Sequence, residues 1–216
     1  MTSDAVTANR TGPIRRKYLI DGYRALQHAR QHGSGEGGLA LWIDSVRSPI
    51  GTLIMVASDD ALCALDFHVV RSRMLSQVRS RFPGVALKRR RDPNGYATRV
   101  HAYFAGDVRA LDGITVDCGG TSFQEEVWNV LRAIPPGSTM TYRELAEVVR
   151  RPQAVRAVGA ANGRNPVCLV VPCHRVVGSD GHLTGYAGGI WRKRWLLAHE
   201  GALPPSPRTD REPRCK

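Results

Sequence analysis

Cys173 and His174 stand side by side in Val171-Pro172-Cys173-His174-Arg175-Val176. A thiol is a good nucleophile only as thiolate, and a nearby imidazole or cation is the usual way to raise the thiolate fraction. Neighbouring side chains on extended backbone point opposite ways, so direct contact within the pair requires a turn; otherwise a water must bridge it. The bland alternative is a buried structural cysteine, the commonest fate of that residue. Here the pair follows an apolar run and precedes the glycine-rich loop Thr184-Gly185-Tyr186-Ala187-Gly188-Gly189, where an exposed nucleophile would sit. Such a loop can approach a planar ligand closely, but it lacks phosphate-loop spacing. Glu200 offers a carboxylate that fits a Cys-His-Glu arrangement. For an unselected glutamate, a solvated helix end is the better reading. A cysteine hydrolase would want a nucleophile elbow and an oxyanion hole, and neither is legible.

The second constellation is a pair of short helical patterns, Tyr142 to Val149 and Gln153 to Asn162, joined by a turn at Arg150-Arg151-Pro152. Their lengths and spacing fit a helix-turn-helix. Ala154-Val155-Arg156-Ala157-Val158-Gly159-Ala160-Ala161-Asn162 is nearly all small residues with one long cation. A reader of base edges normally carries several polar side chains. Small residues fit either a helix backbone brought close to a minor groove, with Arg156 reaching in, or a helix buried against a neighbour. A plain transcription factor fits poorly for the same reason.

Composition points the same way. The chain has 216 residues and a formal net charge of +12, which favours a polyanionic partner. Five cysteines in no disulfide pattern, with no signal-peptide pattern, imply a reducing cytosolic compartment. No apolar run approaches the ~20 residues of a membrane helix. No paired-ligand spacing suggests a metal site.

The elements that must position these residues fall into an α/β (α+β) arrangement. Residues 1–38 read as a basic, partly disordered extension, with a helix possible from Arg15 to Gln31 and a glycine-rich linker after it. Residues 39–118 read as a small N-terminal domain: an antiparallel meander, a helix over Arg71 to Phe82, a charged loop over Lys88 to Arg91, and a helix over Tyr96 to Ala105. Residues 119–201 read as a mainly helical domain carrying the helix-turn-helix and the active-site cysteine. Thr121 and Gln124 have capping-box spacing at its first helix. A strand is expected from Val167 to Val171, a hairpin-like turn at Ser179-Asp180-Gly181 and a last helix from Trp191 to His199. Residues 202–216 are a basic tail.

Taken in order, the motifs resemble the O6-alkylguanine-DNA alkyltransferases of bacterial type. The match runs from about Thr121 to Gly201 through Phe123-Gln124-x-x-Val127-Trp128, Thr141-Tyr142-x-x-Leu145-Ala146, Arg156 to Asn162, Asn165-Pro166, Pro172 to Val176, Gly185 to Gly189 and Leu196-Leu197-x-x-Glu200-Gly201. The first domain matches more loosely, through Ser48-Pro49-Ile50-Gly51 and Tyr103-Phe104-Ala105-Gly106. The resemblance implies a monomer that binds double-stranded DNA and flips O6-alkylguanine, with O4-alkylthymine a further candidate, toward Cys173. It implies Ala154, Arg156, Ala157, Gly159 and Ala160 at the DNA, with Arg156 filling the vacated space. Tyr142 would hydrogen-bond the guanine, and Asn165 would hold the turn after the recognition helix. His174 and Glu200 would relay the thiol proton. Val171, Pro172, Tyr186, Ala187 and Gly188 would line the pocket. Transfer would be irreversible and stoichiometric, with no cofactor, in a cytoplasmic protein associated with the nucleoid. The alternative is a lesion-binding sensor of the same fold, against which Cys173 itself argues. Some relatives carry zinc in the first domain, for which this chain has no clear equivalent.

Overall fold

Short apolar runs joined by tight turns build the first layer. A computed structural model describes residues 41–204; the expected extension helix and most of the tail, with Cys215, lie outside the described residues. The chain divides into two units, one of residues 41–119 with 166–170, the other of residues 120–165 with 171–204.

In the first unit, β1 (Leu41–Ser48), β2 (Gly51–Ala57) and β3 (Leu62–Phe67) form the expected antiparallel meander. The β1–β2 turn is closed by Ser48 Oγ, which donates to Gly51 O at 2.6 Å. Helix α1 (Arg71–Arg81) places Met74 and Val78 against Leu41, Ile54, Val56 and Ala64. Helix α2 (Tyr96–Phe104) buries Tyr96, Ala97, Val100 and Tyr103 at helical spacing and packs on β1. The run Lys88 to Arg91, expected as a loop, is partly a strand: β4 (Leu87–Arg89) pairs parallel to β1, giving the sheet order β3-β2-β1-β4. Leu87 anchors this edge by packing on the apolar cluster, so the adjoining charges are carried into the sheet.

All six residues of β3 are buried although it ends the sheet. Its outer edge is covered by two short parallel bridges, Leu62 to Val116 and Leu65 to Val167. Cys168 N donates to Leu65 O at 2.7 Å, and Leu65 N donates to Pro166 O at 2.9 Å. An unpaired strand edge invites mispairing, and these bridges remove the exposed backbone groups. This is also why Val167 to Val171 is not the expected strand. Its backbone bonds go to β3 at one point only, and then Val170 N turns back to Cys168 O while Leu169 adopts φ +68°.

The second unit is mainly helical. Helix α3 (Ser122–Arg132) opens on the expected capping box: Gln124 N donates to Thr121 Oγ1, and Thr121 N donates to Gln124 Oε1. Strand β5 (Met140–Thr141) leads into α4 (Tyr142–Val148), which has its own box from Thr141 and Glu144. Helix α5 (Val155–Gly163) follows a turn in which Arg150 takes φ +57°. Trp128 Nε1 of α3 donates to Ala161 O of α5 at 2.9 Å, fixing the spacing of the two helices. A 3-10 turn at Cys173–Arg175 runs into β6 (Val176–Val177), which pairs parallel with β5. The turn near Asp180 is present, with Gly178 N donating to His182 O at 3.0 Å. Helix α6 (Ile190–His199) closes the unit. Among the described residues no helix is long and apolar enough to cross a membrane.

Each capping box satisfies two otherwise unpaired N–H groups. Thr121→Ala and Thr141→Ala should each cost about 1 kcal/mol. Urea unfolding would read this as a lower midpoint at unchanged slope.

Candidate active site

The 3-10 turn at Cys173–Arg175 supplies the bend that an extended Cys-His pair lacks, and all three residues are buried. His174 and Glu200 side chains are both fully inaccessible, and His174 Nε2 lies 2.9 Å from Glu200 Oε1. Glu200 also receives Arg175 Nε at 2.9 Å on Oε2 and Arg175 Nη2 at 2.8 Å on Oε1. A third guanidinium nitrogen, Nη1, donates to Ile134 O at the end of α3. Arg175 therefore ties the C-terminal ends of α3 and α6 to the turn that carries Cys173.

This geometry sets the proton positions. Burial alone would raise the Glu200 pKa, but the His174 imidazole and the Arg175 guanidinium outweigh it and hold the carboxyl well below its ordinary range. Burial lowers the His174 pKa, against the opposite pull of Glu200, and Arg175 adds to the lowering. A permanently charged guanidinium already neutralises the carboxylate, so the resting imidazole is neutral. Ionised carboxylates only accept, so Nε2 carries the hydrogen given to Glu200. Nδ1 is then a bare acceptor, and it has no hydrogen-bond partner among the described residues. A buried imidazole of this kind can take a proton at Nδ1, and the carboxylate behind it stabilises the cation that results.

The other expected residues surround this centre. Asn165 Nδ2 donates to Val171 O at 2.7 Å, pinning together the two ends of the 166–170 segment. Tyr142 stands at the start of α4. Asn162 Nδ2 lies 3.4 Å from its phenol oxygen, and Thr184 also hydrogen-bonds the phenol. Burial raises the Tyr142 pKa, and Cys173 adds to the rise. The phenol therefore keeps its hydrogen and can donate it. Space for the ring is left by two glycines. A Cβ on Gly159 would sit 3.9 Å from the Tyr142 ring, and one on Gly185 would sit 3.3 Å from its hydroxyl at φ +58°. Val171, Pro172 and Gly188 are buried, Tyr186 is half-buried and Ala187 is exposed. Arg192 Nη1 donates to Gly188 O at 2.6 Å and fixes that loop.

The residues expected at DNA lie on and just before α5, of which Gly159 adjoins the Tyr142 ring. Arg156, Ala157 and Ala160 are exposed on one face of α5, while Ala154 and Gly159 are half-buried. Val158, Ala161 and Asn162 form the buried face. The helix thus has one buried face and one exposed face.

Two residues were missed. Arg175 lay inside the Cys173 motif but was given no role. Lys193 is fully buried, and its Nζ donates to Val176 O at 2.5 Å and Thr184 O at 2.7 Å. It joins the strand leaving the cysteine turn to the start of the glycine-rich loop. Burial pushes its pKa down to about 8, and Cys173 acts in the opposite direction. The signal was available: Lys193, Leu196, Leu197 and Glu200 recur at helical spacing on the buried face, so two charges sit on an apolar stripe. Among the described residues no group of three or more His, Cys, Asp and Glu could hold a metal ion.

Two substitutions test this arrangement. Glu200 has a depressed folded pKa, so its contribution to stability is complete above the ordinary carboxylate value of 4.5 and is lost as pH falls below it. The stability gap between the wild type and Glu200→Gln should therefore be largest near neutral pH and shrink on acidification, as measured by urea unfolding across that range. Lys193→Met strands two carbonyls and should cost about 2 kcal/mol or more in the same assay.

Comparisons with known proteins bear on the same residues. The family model described as the DNA-binding domain of 6-O-methylguanine DNA methyltransferase matches residues 122–202. A methylated-DNA–protein-cysteine methyltransferase of Salmonella typhimurium is 46% identical over 168 residues, covering 76% of this chain and 98% of that protein. Its counterpart in Methanosarcina barkeri is 39% identical over 160 residues, covering 74% and 97%. The fold is similar to that of the Mycobacterium tuberculosis OGT in complex with DNA, with a TM-score of 0.63, 36% identity and coverage of 78% and 96%.

Proposed function

This chain belongs to the methylated-DNA–protein-cysteine methyltransferases, and from that premise we propose that Cys173 is the residue on which its transferred alkyl group ends. The protein is a DNA-repair alkyltransferase. The observation that carries the assignment is the proton arrangement at His174: Nε2 is committed to Glu200, and Nδ1 is an unoccupied acceptor in the same turn as the thiol.

The steps follow from that arrangement. The Cys173 thiol gives its proton to His174 Nδ1 through a bridging water, and Glu200 stabilises the imidazolium. The Sγ thiolate attacks the alkyl carbon of O6-alkylguanine in line. An S–C bond forms, the C–O bond breaks, and its electron pair leaves with guanine. Tyr142 donates its phenol hydrogen bond to the ring on which negative charge develops, which lowers the barrier only as that charge appears. The product is a thioether, whose S–C bond has no leaving group that water or the resting site could displace. One molecule thus repairs one lesion, and the DNA itself is the alkyl donor.

The substrate is duplex DNA carrying the lesion, since an O6-alkyl carbon inside a base stack is out of reach of a buried thiol. The exposed face of α5 supports the docking role. Ala157 and Ala160 let backbone approach a groove, and Arg156 fills the gap left by a flipped nucleotide. Asn165 is a positioning residue that holds the turn between α5 and the cysteine. Val171, Pro172, Tyr186, Ala187 and Gly188 wall the pocket. The protein acts as a monomer in the cytoplasm, associated with nucleoid DNA.

The deciding experiment is incubation with an oligonucleotide carrying one O6-methylguanine, followed by intact mass and peptide mapping. One methyl group should appear on Cys173 and saturate at one per protein. Lesion-selective binding without a mass change would instead make the chain a sensor. Cys173→Ala should abolish transfer while DNA binding persists. Arg156→Ala should slow repair of duplex about ten-fold more than reaction with free O6-alkylguanine base, a difference of about 1.4 kcal/mol.

A further inference from the structure

The charge run that the alkyl-transfer chemistry does not use lies in the other unit. There an open cleft is bordered by β1, the β4 edge, the start of α1 and α2. Five guanidiniums line it: Arg47, Arg71, Arg89, Arg90 and Arg91. Arg90 is engaged, stacking over the Trp42 ring at 5.2 Å and reaching Asp59 at 3.4 Å. The remaining four are exposed, and none has an ion-pair partner among the described residues. The cleft's two carboxylates are turned to other work. Asp44 accepts from the backbone N–H groups of Ser45 and Asp92 at 2.8 Å each. Asp92 accepts from Ala97 N at 2.6 Å and from Thr98 Oγ1 at 2.5 Å.

We propose that this cleft is a second nucleic-acid contact, which binds the sugar-phosphate backbone of duplex DNA without reading its sequence. The proposal rests on the DNA-repair reading above and adds to it a surface on the unit that lacks the helix-turn-helix. Five guanidiniums outnumber the cleft's two carboxylates, so the cleft keeps a net positive charge that an added anion offsets. Their backbone spacing suits an extended anion. Arg89 is in register with Ile43, four residues along β1 from Arg47. That separation is roughly 13 Å of strand, against about 3.4 Å of helix axis per phosphate on one DNA strand, so the two arginines can each hold a different phosphate of one backbone. Apolar lining is limited to Ile43, Ile54 and Ala97, which gives an acidic protein partner little to anchor on. Guanidiniums also match phosphate oxygens bidentately.

The test is fluorescence anisotropy of the full chain on an unmodified duplex of about 30 base pairs across a salt series. Arg89→Ser with Arg91→Ser should reduce the slope of log affinity against log salt by about two, and weaken binding roughly ten-fold near 0.1 M salt. Arg47→Ser with Arg71→Ser should do the same from different elements, so a folding defect in one pair cannot decide the matter. Arg89→Lys with Arg91→Lys should restore most of the slope. An unchanged slope in both serine pairs overturns the proposal, as does a loss of affinity without a change in slope. Equal loss of binding to polyglutamate of matched charge would reassign the cleft to acidic polypeptides and overturn it too. Methyl transfer to Cys173 from free O6-methylguanine base should be unaffected in every variant. Absence of methyl transfer from the O6-methylguanine oligonucleotide in the wild type would remove the alkyl-transfer reading while leaving the salt slopes to judge the cleft.

Discussion

The carboxylate of Glu200 is the point on which the site depends. It terminates α6, where the helix dipole alone would disfavour a negative charge. Arg175 reverses that balance with two hydrogen bonds and leaves its third nitrogen for the end of α3. Burying such ions is costly, and breaking the pair by removing one partner typically costs ~3–5 kcal/mol. What the arrangement secures is register. Two helix ends and the cysteine turn can satisfy their charges only in one relative placement, and in that placement His174 presents Nδ1 as its acceptor.

Around this centre, burial holds His174 neutral and keeps the Tyr142 phenol protonated, while it works against the Lys193 ammonium and brings that pKa down to about 8. Base, donor and cation therefore coexist near neutral pH within one small region. Lys193 adds a mechanical constraint, because Val176 and Thr184 share its ammonium. The strand that follows the cysteine turn and the start of the glycine-rich loop are thereby tied to one side chain.

Much of this was legible in the chain and some of it was not. Helices with strong punctuation were read well: Thr121 and Gln124 mark the start of α3. The Thr141 and Glu144 box follows the same rule and was overlooked. The strand expected at Val167 to Val171 failed because an apolar run announces burial, not partner. Its backbone bonds are chosen by the edge of β3, about a hundred residues earlier. Lys88 to Arg91 misled in the opposite sense, since charge suggested a loop while Leu87 anchored an edge strand. At the site, Cys173, His174 and Glu200 were found by residue type. The pairing of Glu200 with Arg175 was not, because no local spacing brings position 175 to position 200.

The exposed face of α5 is nearly bare of hydrogen-bonding side chains apart from Arg156. Direct readout of bases needs such side chains, so this face has little means of preferring one sequence over another. For a protein consumed by a single reaction, that indifference has a statistical meaning. No undamaged site in a genome acts as a sink that detains molecules away from lesions. On the docking of α5 proposed above, dwell time on intact DNA would be governed by charge and nearly uniform, and a position where a base leaves its stack easily would be the deep stop in the search.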